Sequence, residues 1–231
     1  MQVDMWFPTV IYTEGLNPPP DIRQGMLDSI DKFHNQHPDD YTVTGDVVSE
    51  YQVAKRPEFS WLNKEVGQHC YQYLKQYGLK VDLLNIFVSK SWPVACNPAK
   101  IGDKNLNVIR PHTHMNSHLS VVYYLQSDPN GSGGELMLHS SPTHPLRYIP
   151  FAPLLDEVKY QSLCEISYPP TENQLIIFPS SVEHEVTLYH GNLNRYSIIY
   201  DIIVTCKEEL NDDNEMCVMN PNNWMELIPN A

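Results

Sequence analysis

The chain has 231 residues and sets 15 Lys+Arg against 28 Asp+Glu, a formal net charge of −13, which argues against a general binder of phosphate backbones because such proteins need clustered cations. Hydrophobic residues at 42% and aromatics at 10% supply enough apolar side chain for a core, which excludes global disorder. No apolar run reaches the roughly 18 residues that a membrane-spanning helix needs.

The N-terminal residues Met1–Pro8 have no basic leader, so a secretory signal is not expected. Residues 6–13 read as a short strand, with Pro8 marking an edge position. Past the stop Pro18-Pro19-Pro20, Asp21 is placed to cap a helix whose apolar stripe is Ile22, Met26, Ile30 and Phe33. A second helix is predicted from Ser60, as cap, to Tyr77, with Leu62, Val66, Cys70, Tyr73 and Tyr77 on one side and Gly78 as its stop. Neither helix carries a chemical signature, and both are expected to support a core.

From residue 80 the pattern changes to short strands rich in Val, Ile, Tyr and Leu, predicted at 81–90, 105–114, 118–126, 135–139, 162–167, 174–178, 183–189 and 195–204. Turn chemistry separates them: Asn97-Pro98, the run 128–134, Pro169-Pro170 and the run 190–194. Eight such strands suggest a sandwich or jelly roll. The proline-bearing stretch 140–159 suits a surface loop or lid, and the acidic residues after Cys206 suit a solvated tail. Five cysteines (Cys70, Cys96, Cys164, Cys206, Cys217) form no CxxC pair, the pattern of reduced thiols in an intracellular protein.

Chemistry concentrates in two segments. In Arg110-Pro-His-Thr-His-Met-Asn-Ser-His118, residues two apart on a strand face one way, so His112 and His114 would project side by side toward one metal ion. The best third ligand is His184, which follows an apolar strand and a turn. His118 is ambiguous because 115–117 can turn the chain, whereas His34, His37, His69, His139, His144 and His190 lack such partners and fit surface or hydrogen-bonded roles. An HxH pair alone is weak evidence for a metal, because such pairs often sit on solvent-facing strands. Eleven residues after His184, Arg195 and Ser197 share a strand face that Ile199 continues, and a guanidinium fixed on a buried strand calls for an anion such as a carboxylate. Its bland counterpart is an arginine at a strand end paired with an acidic surface neighbour.

Taken in order, these pieces resemble the 2-oxoglutarate- and iron(II)-dependent dioxygenases, in their prolyl-hydroxylase-like branch. His112-Thr-His114 stands where that family has its His-x-Asp/Glu iron motif. Ser120-Val-Val-Tyr-Tyr-Leu-Gln126 is similar to the following strand, whose second tyrosine contacts the co-substrate, a role that falls on Tyr124. Gly131-Ser-Gly-Gly-Glu-Leu-Met-Leu138 resembles the family's Gly-Gly-x-Leu turn, and Leu175–Ser180, His184-Glu-Val186 and Arg195-Tyr-Ser-Ile198 resemble its distal histidine and arginine segments. The resemblance covers about residues 85–204, and the opening 7–12 and the run from Trp92 to Ser120 also resemble a little-characterised subgroup of oxygenases from microbes and their viruses.

The resemblance implies a mainly β fold, a double-stranded β-helix (jelly roll) with supporting N-terminal helices. The boundaries expected are 1–79 for the N-terminal strand and helices, 80–205 for the catalytic core and 206–231 for the acidic tail, within one domain. It implies Fe(II) held by His112, His114 and His184, 2-oxoglutarate held by Arg195, Tyr124 and Ser197, and O2 as oxidant. The reaction would hydroxylate an unidentified substrate with release of succinate and CO2. One departure stands out: His114 occupies the carboxylate position of the usual two-His-one-carboxylate set. A three-His iron site, a rearranged ligand set drawing on Asn116, His118 or Asp201, and a site without turnover all stay open. Two other functions fit the same residues: a cupin-like three-His metalloenzyme that does not use 2-oxoglutarate, and a non-catalytic jelly-roll binding module. The remaining expectations are a small-molecule co-substrate, no nucleic acid, no membrane, a cytoplasmic location (the host cytoplasm for a viral protein) and either a monomer or a homodimer.

Overall fold

Alternation of side chains along two central strands organises the molecule, because successive residues of a strand face opposite sides of a sheet. The computed structural model describes residues 9–35, 42–44, 52–98, 108–141 and 164–207. In chain order these form β1 (Tyr12–Gly15), α1 (Pro20–His34), β2 (Thr42–Thr44), α2 (Ser60–Gln76), β3 (Leu84–Cys96), β4 (Ile109–His112), β5 (Leu119–Gln126), β6 (Ser132–Gly133), β7 (Leu136–His139), β8 (Glu165–Tyr168), β9 (Gln174–Pro179), β10 (His184–Val186), β11 (Tyr189–His190) and β12 (Arg195–Cys206). A six-stranded sheet runs β1-β9-β5-β12-β3-β2, a four-stranded sheet β4-β10-β7-β8, and β11 pairs with β6. The pairings are antiparallel throughout. This is the mainly β jelly roll that the strand pattern and the resemblance imply.

The helices cover one face of the large sheet. Met26, Leu27 and Ile30 of α1 and Leu62, Val66, Cys70, Tyr73 and Leu74 of α2 share a core with Val121, Tyr123, Leu125, Leu175, Ile177, Ile198, Tyr200 and Ile202. Burial of each large apolar side chain there contributes about 1.5–3 kcal/mol. The intervening residues of the same strands, among them Val122, Tyr124, Ile176 and Phe178, turn inward and meet Leu136 and Leu138 of the small sheet. Buried on both faces, β5 carries no exposed residue. The space between the two sheets holds the site.

Several boundaries differ from expectation. The first strand is only Tyr12–Gly15, although it does lie at a sheet edge, and residues 6–8 fall outside the described set. Helix α1 starts at Pro20, whose fixed φ suits a first helical position, so Asp21 sits inside the first turn rather than at the cap. Likewise Ser60 is the first residue of α2, behind the short 3-10 turn Pro57–Phe59, and Tyr77 is 46% exposed while Leu74 takes its place in the core. Gly78, with φ +75, does end the helix, in the left-handed conformation that favours glycine. Residues 81–83 form a 3-10 turn before β3, which continues to Cys96. The predicted strand 183–189 divides into β10 and β11. The Phe33 side chain, the lid segment from 142 onward, the starts of the strands predicted at 105 and 162, and the tail beyond Lys207 lie outside the described residues. No described helix is long and apolar enough to cross a membrane.

Candidate metal and anion site

A cavity of about 500 Å³ opens between the two sheets. From β12 it receives Arg195, Ser197, Ile199 and Asp201, every second residue, and from β5 Ser120, Val122 and Tyr124 by the same alternation. Register locks these sets together, since Ser197 lies opposite Tyr124 and Asp201 opposite Ser120. On its other side β12 pairs with β3, which adds Lys90, Trp92 and Val94.

Three histidines converge at the mouth. One ring nitrogen from each of His112, His114 and His184 lies within 4.8 Å of the other two. His112 and His184 are register partners across β4 and β10, with ring centroids 4.3 Å apart. His114 arrives differently from the expected strand-face pairing. β4 ends at His112, so His114 lies beyond it, and its backbone N–H donates to the Ser180 carbonyl at 3.0 Å. That bond, rather than a common strand face, swings its ring to 5.2 Å from His112 and 5.0 Å from His184.

Every Nδ1 of the trio is engaged. His112 donates from Nδ1 to the Arg110 carbonyl at 2.8 Å, and His184 to the Val182 carbonyl at 2.9 Å. His114 donates from Nδ1 to Asp201 Oδ1 at 2.5 Å, with Ser120 Oγ 3.1 Å from the same nitrogen. These partners fix the tautomer and leave Nε2 of each ring with its lone pair. Three neutral nitrogen donors with a carboxylate behind one of them suit a divalent transition ion. Of the other candidate ligands, His118 is exposed and its Nδ1 accepts the Val204 N–H at 2.9 Å, whereas Asn116 lines the cavity. His34 and His69 are hydrogen-bonded to Asn97 and Tyr12, His139 lies between Glu165 and Glu185, and His37 and His144 are outside the described residues.

Burial, and secondarily the neighbouring His112 and His114, push His184 down to about 4. The unfolded chain's imidazole titrates near 6.5, so unfolding takes up a proton between those values and the metal-free protein loses stability as pH falls from about 6.5 through 4. The full loss is roughly 3 kcal/mol. Denaturant titrations of the metal-free protein at pH 7 and pH 4 check this: His184→Gln should show a smaller drop than the parent, and an equal drop would contradict it.

Deeper in, Arg195 is 1% exposed and donates from Nη1 to the Gly134 carbonyl, with its guanidinium 5.7 Å from the centre of the Tyr189 ring. Its buried Nε has no hydrogen-bond partner, and no described carboxylate lies within ion-pair distance. A buried cation left in this state is costly unless an anion completes it. Tyr124 and Ser197, 1% and 4% exposed, line the same cavity. Burial holds the Tyr124 phenol above its ordinary range, with Arg195 opposing, so it stays a hydroxyl donor. Gly134, at φ +69, is required here: a Cβ would meet the Tyr189 ring at 2.9 Å and Arg195 Nη1 at 3.0 Å.

Residues 90–201 match the family described as "Putative 2OG-Fe(II) oxygenase". Among solved structures, the chain is similar to AviO1 from Streptomyces viridochromogenes Tue57, with TM-score 0.55 and 13% identity over 85% of this chain and 90% of that one. It is similar also to a Pseudomonas putida prolyl-4-hydroxylase, with TM-score 0.51 and 15% identity over 84% and 91% of the two chains. A prolyl hydroxylase from Trichoplax adhaerens, solved with a hypoxia inducible factor oxygen degradation domain peptide fragment, matches with TM-score 0.50 and 12% identity over 84% and 83%. At these identities the likeness is one of fold. No curated protein matches the chain.

Proposed function

We propose that this chain, whose residues 90–201 match the family described as "Putative 2OG-Fe(II) oxygenase", is an Fe(II)- and 2-oxoglutarate-dependent dioxygenase that hydroxylates a C–H bond of a substrate still to be identified. The observation that carries the reading is the pairing, in one cavity, of three convergent imidazoles with a buried guanidinium whose Nε lacks a partner. His112, His114 and His184 would hold the iron through Nε2. Arg195 would meet the far carboxylate of 2-oxoglutarate, with Tyr124 and Ser197 as hydroxyl donors beside it. Bound together with O2, the two would supply oxidative chemistry in which 2-oxoglutarate gives succinate and CO2 and one oxygen atom passes to the substrate as a hydroxyl.

The chain's own residues set the conditions for this. The hydrogen-bonded Nδ1 atoms hold the three rings in place before metal arrives, so little reorganisation is needed. Val122, Leu136, Phe178 and Ile199 line the same cavity as the histidines and Arg195, and their apolar surface would strengthen the electrostatic grip on a dicarboxylate. Lys90, Trp92, Thr113, Asn116 and the exposed Met115 line the rest of the cavity and are the groups available to the primary substrate.

Oxygen uptake by the iron-loaded protein tests the reading. Consumption should require 2-oxoglutarate and be matched by succinate, even without primary substrate, at a slow rate. Uptake independent of 2-oxoglutarate would point to direct oxidation at a three-His site, and none at all with iron bound would point to a binding module.

A further inference from the structure

We propose that Asp201 is the positioning residue of the metal centre, holding His114 through Nδ1 and returning, from behind the ligand, the negative charge that a histidine in place of a carboxylate removes. This deepens the function proposed above and rests on it.

The three histidines are not held alike. His112 and His184 each donate Nδ1–H to a backbone carbonyl two residues earlier, a local and uncharged partner. His114, beyond the end of β4, instead uses the Asp201 carboxylate at 2.5 Å, a contact 87 positions away in sequence. Asp201 is 4% exposed, and His114 is the one described ion-pair partner it has. A carboxylate buried so far would be costly unless bonded to a group that needs it. The β12–β3 register shifts between Asp201 and Ile202, and Ser89 Oγ donates to the Asp201 carbonyl at 3.1 Å beside that irregularity. Irregularities of this kind re-aim a side chain next to a site.

A buried line of hydroxyls backs the same histidine. Ser120 Oγ lies 3.1 Å from His114 Nδ1 and 3.0 Å from Ser180 Oγ, which accepts from Ser117 Oγ at 2.8 Å. The Ser180 carbonyl takes the His114 backbone N–H. Ring and backbone of this one ligand are therefore fixed from β5, β12 and the turn after β9. Because Nδ1 is committed to Asp201, the carboxylate acts behind the imidazole and does not itself enter the coordination sphere. Partners in that position typically govern metal affinity by about 10–100-fold.

Co(II), as a paramagnetic stand-in for Fe(II), gives the test on the full chain. Asp201→Ala should weaken Co(II) binding by about 10–100-fold, with Asp201→Asn, which keeps an acceptor but no charge, in between, and circular dichroism unchanged. Wild-type Co(II) protein should show three solvent-exchangeable hyperfine-shifted proton resonances, one from each ligand Nδ1–H. Asp201→Ala should make the His114 resonance exchange fastest. Co(II) affinity within twofold of wild type in a folded Asp201→Ala variant would overturn the proposal. So would two exchangeable resonances instead of three, which would mean that Asp201 has displaced the His114 ring as a direct ligand; that count decides even if the variants do not fold. A wild type that takes up no Co(II) would overturn the function proposed above as well, whereas intact wild-type binding with unaffected variants would overturn the Asp201 assignment alone.

Discussion

Arg195→Ala is expected to weaken 2-oxoglutarate binding at least about 30-fold, since truncating one partner of a buried charge pair costs 2–5 kcal/mol or more. The guanidinium is the one described cation deep in the cavity with a buried, unpartnered nitrogen, so nothing else can take over the far carboxylate. Metal affinity should hardly change, because Arg195 touches none of the three histidines. Arg195→Lys should fall between, keeping the charge but losing the planar fork. Titration calorimetry of the metal-loaded variants checks this, and normal 2-oxoglutarate affinity in Arg195→Ala would remove Arg195 from the anion site.

His184→Ala should cost metal binding about 10²–10³-fold, taking roughly 3 kcal/mol per ligand from the about 10–16 kcal/mol of a four-ligand zinc site. His184 is the most buried of the trio and the register partner of His112. Without it, two ligands remain with a gap open to water. Equilibrium dialysis with Co(II) or Fe(II) under argon measures the effect, and retention of one tightly bound ion per chain would show that the trio is not the metal site.

Much of this arrangement was legible in the sequence because period-two alternation on long, uninterrupted strands carries information about facing. Arg195 and Ser197 fall on one face of β12, and Ser120 and Tyr124 on one face of β5, as their spacing dictates. The same count of two reaches Asp201, which sequence reading weighed only as an alternative ligand. What hid its role is that the partner, His114, lies 87 positions away and off the strand end, so no local pattern links them. The strand-face argument for His112 and His114 predicts a shared direction yet misses how it arises, since β4 stops at His112 and a bond to Ser180 does the turning. Caps were harder still. Ser60 and Asp21 have good capping chemistry, but each lies inside its helix, where Pro20 and a preceding 3-10 turn decide the start.

The most direct measurement is an anaerobic titration of the Fe(II)-loaded protein with 2-oxoglutarate, followed in the visible. Chelation of iron by the keto acid within the three-His site should produce a weak charge-transfer band that saturates at one 2-oxoglutarate per chain. It should shift to much higher ligand concentration in Arg195→Ala. No band from folded protein that has taken up its iron would contradict the account.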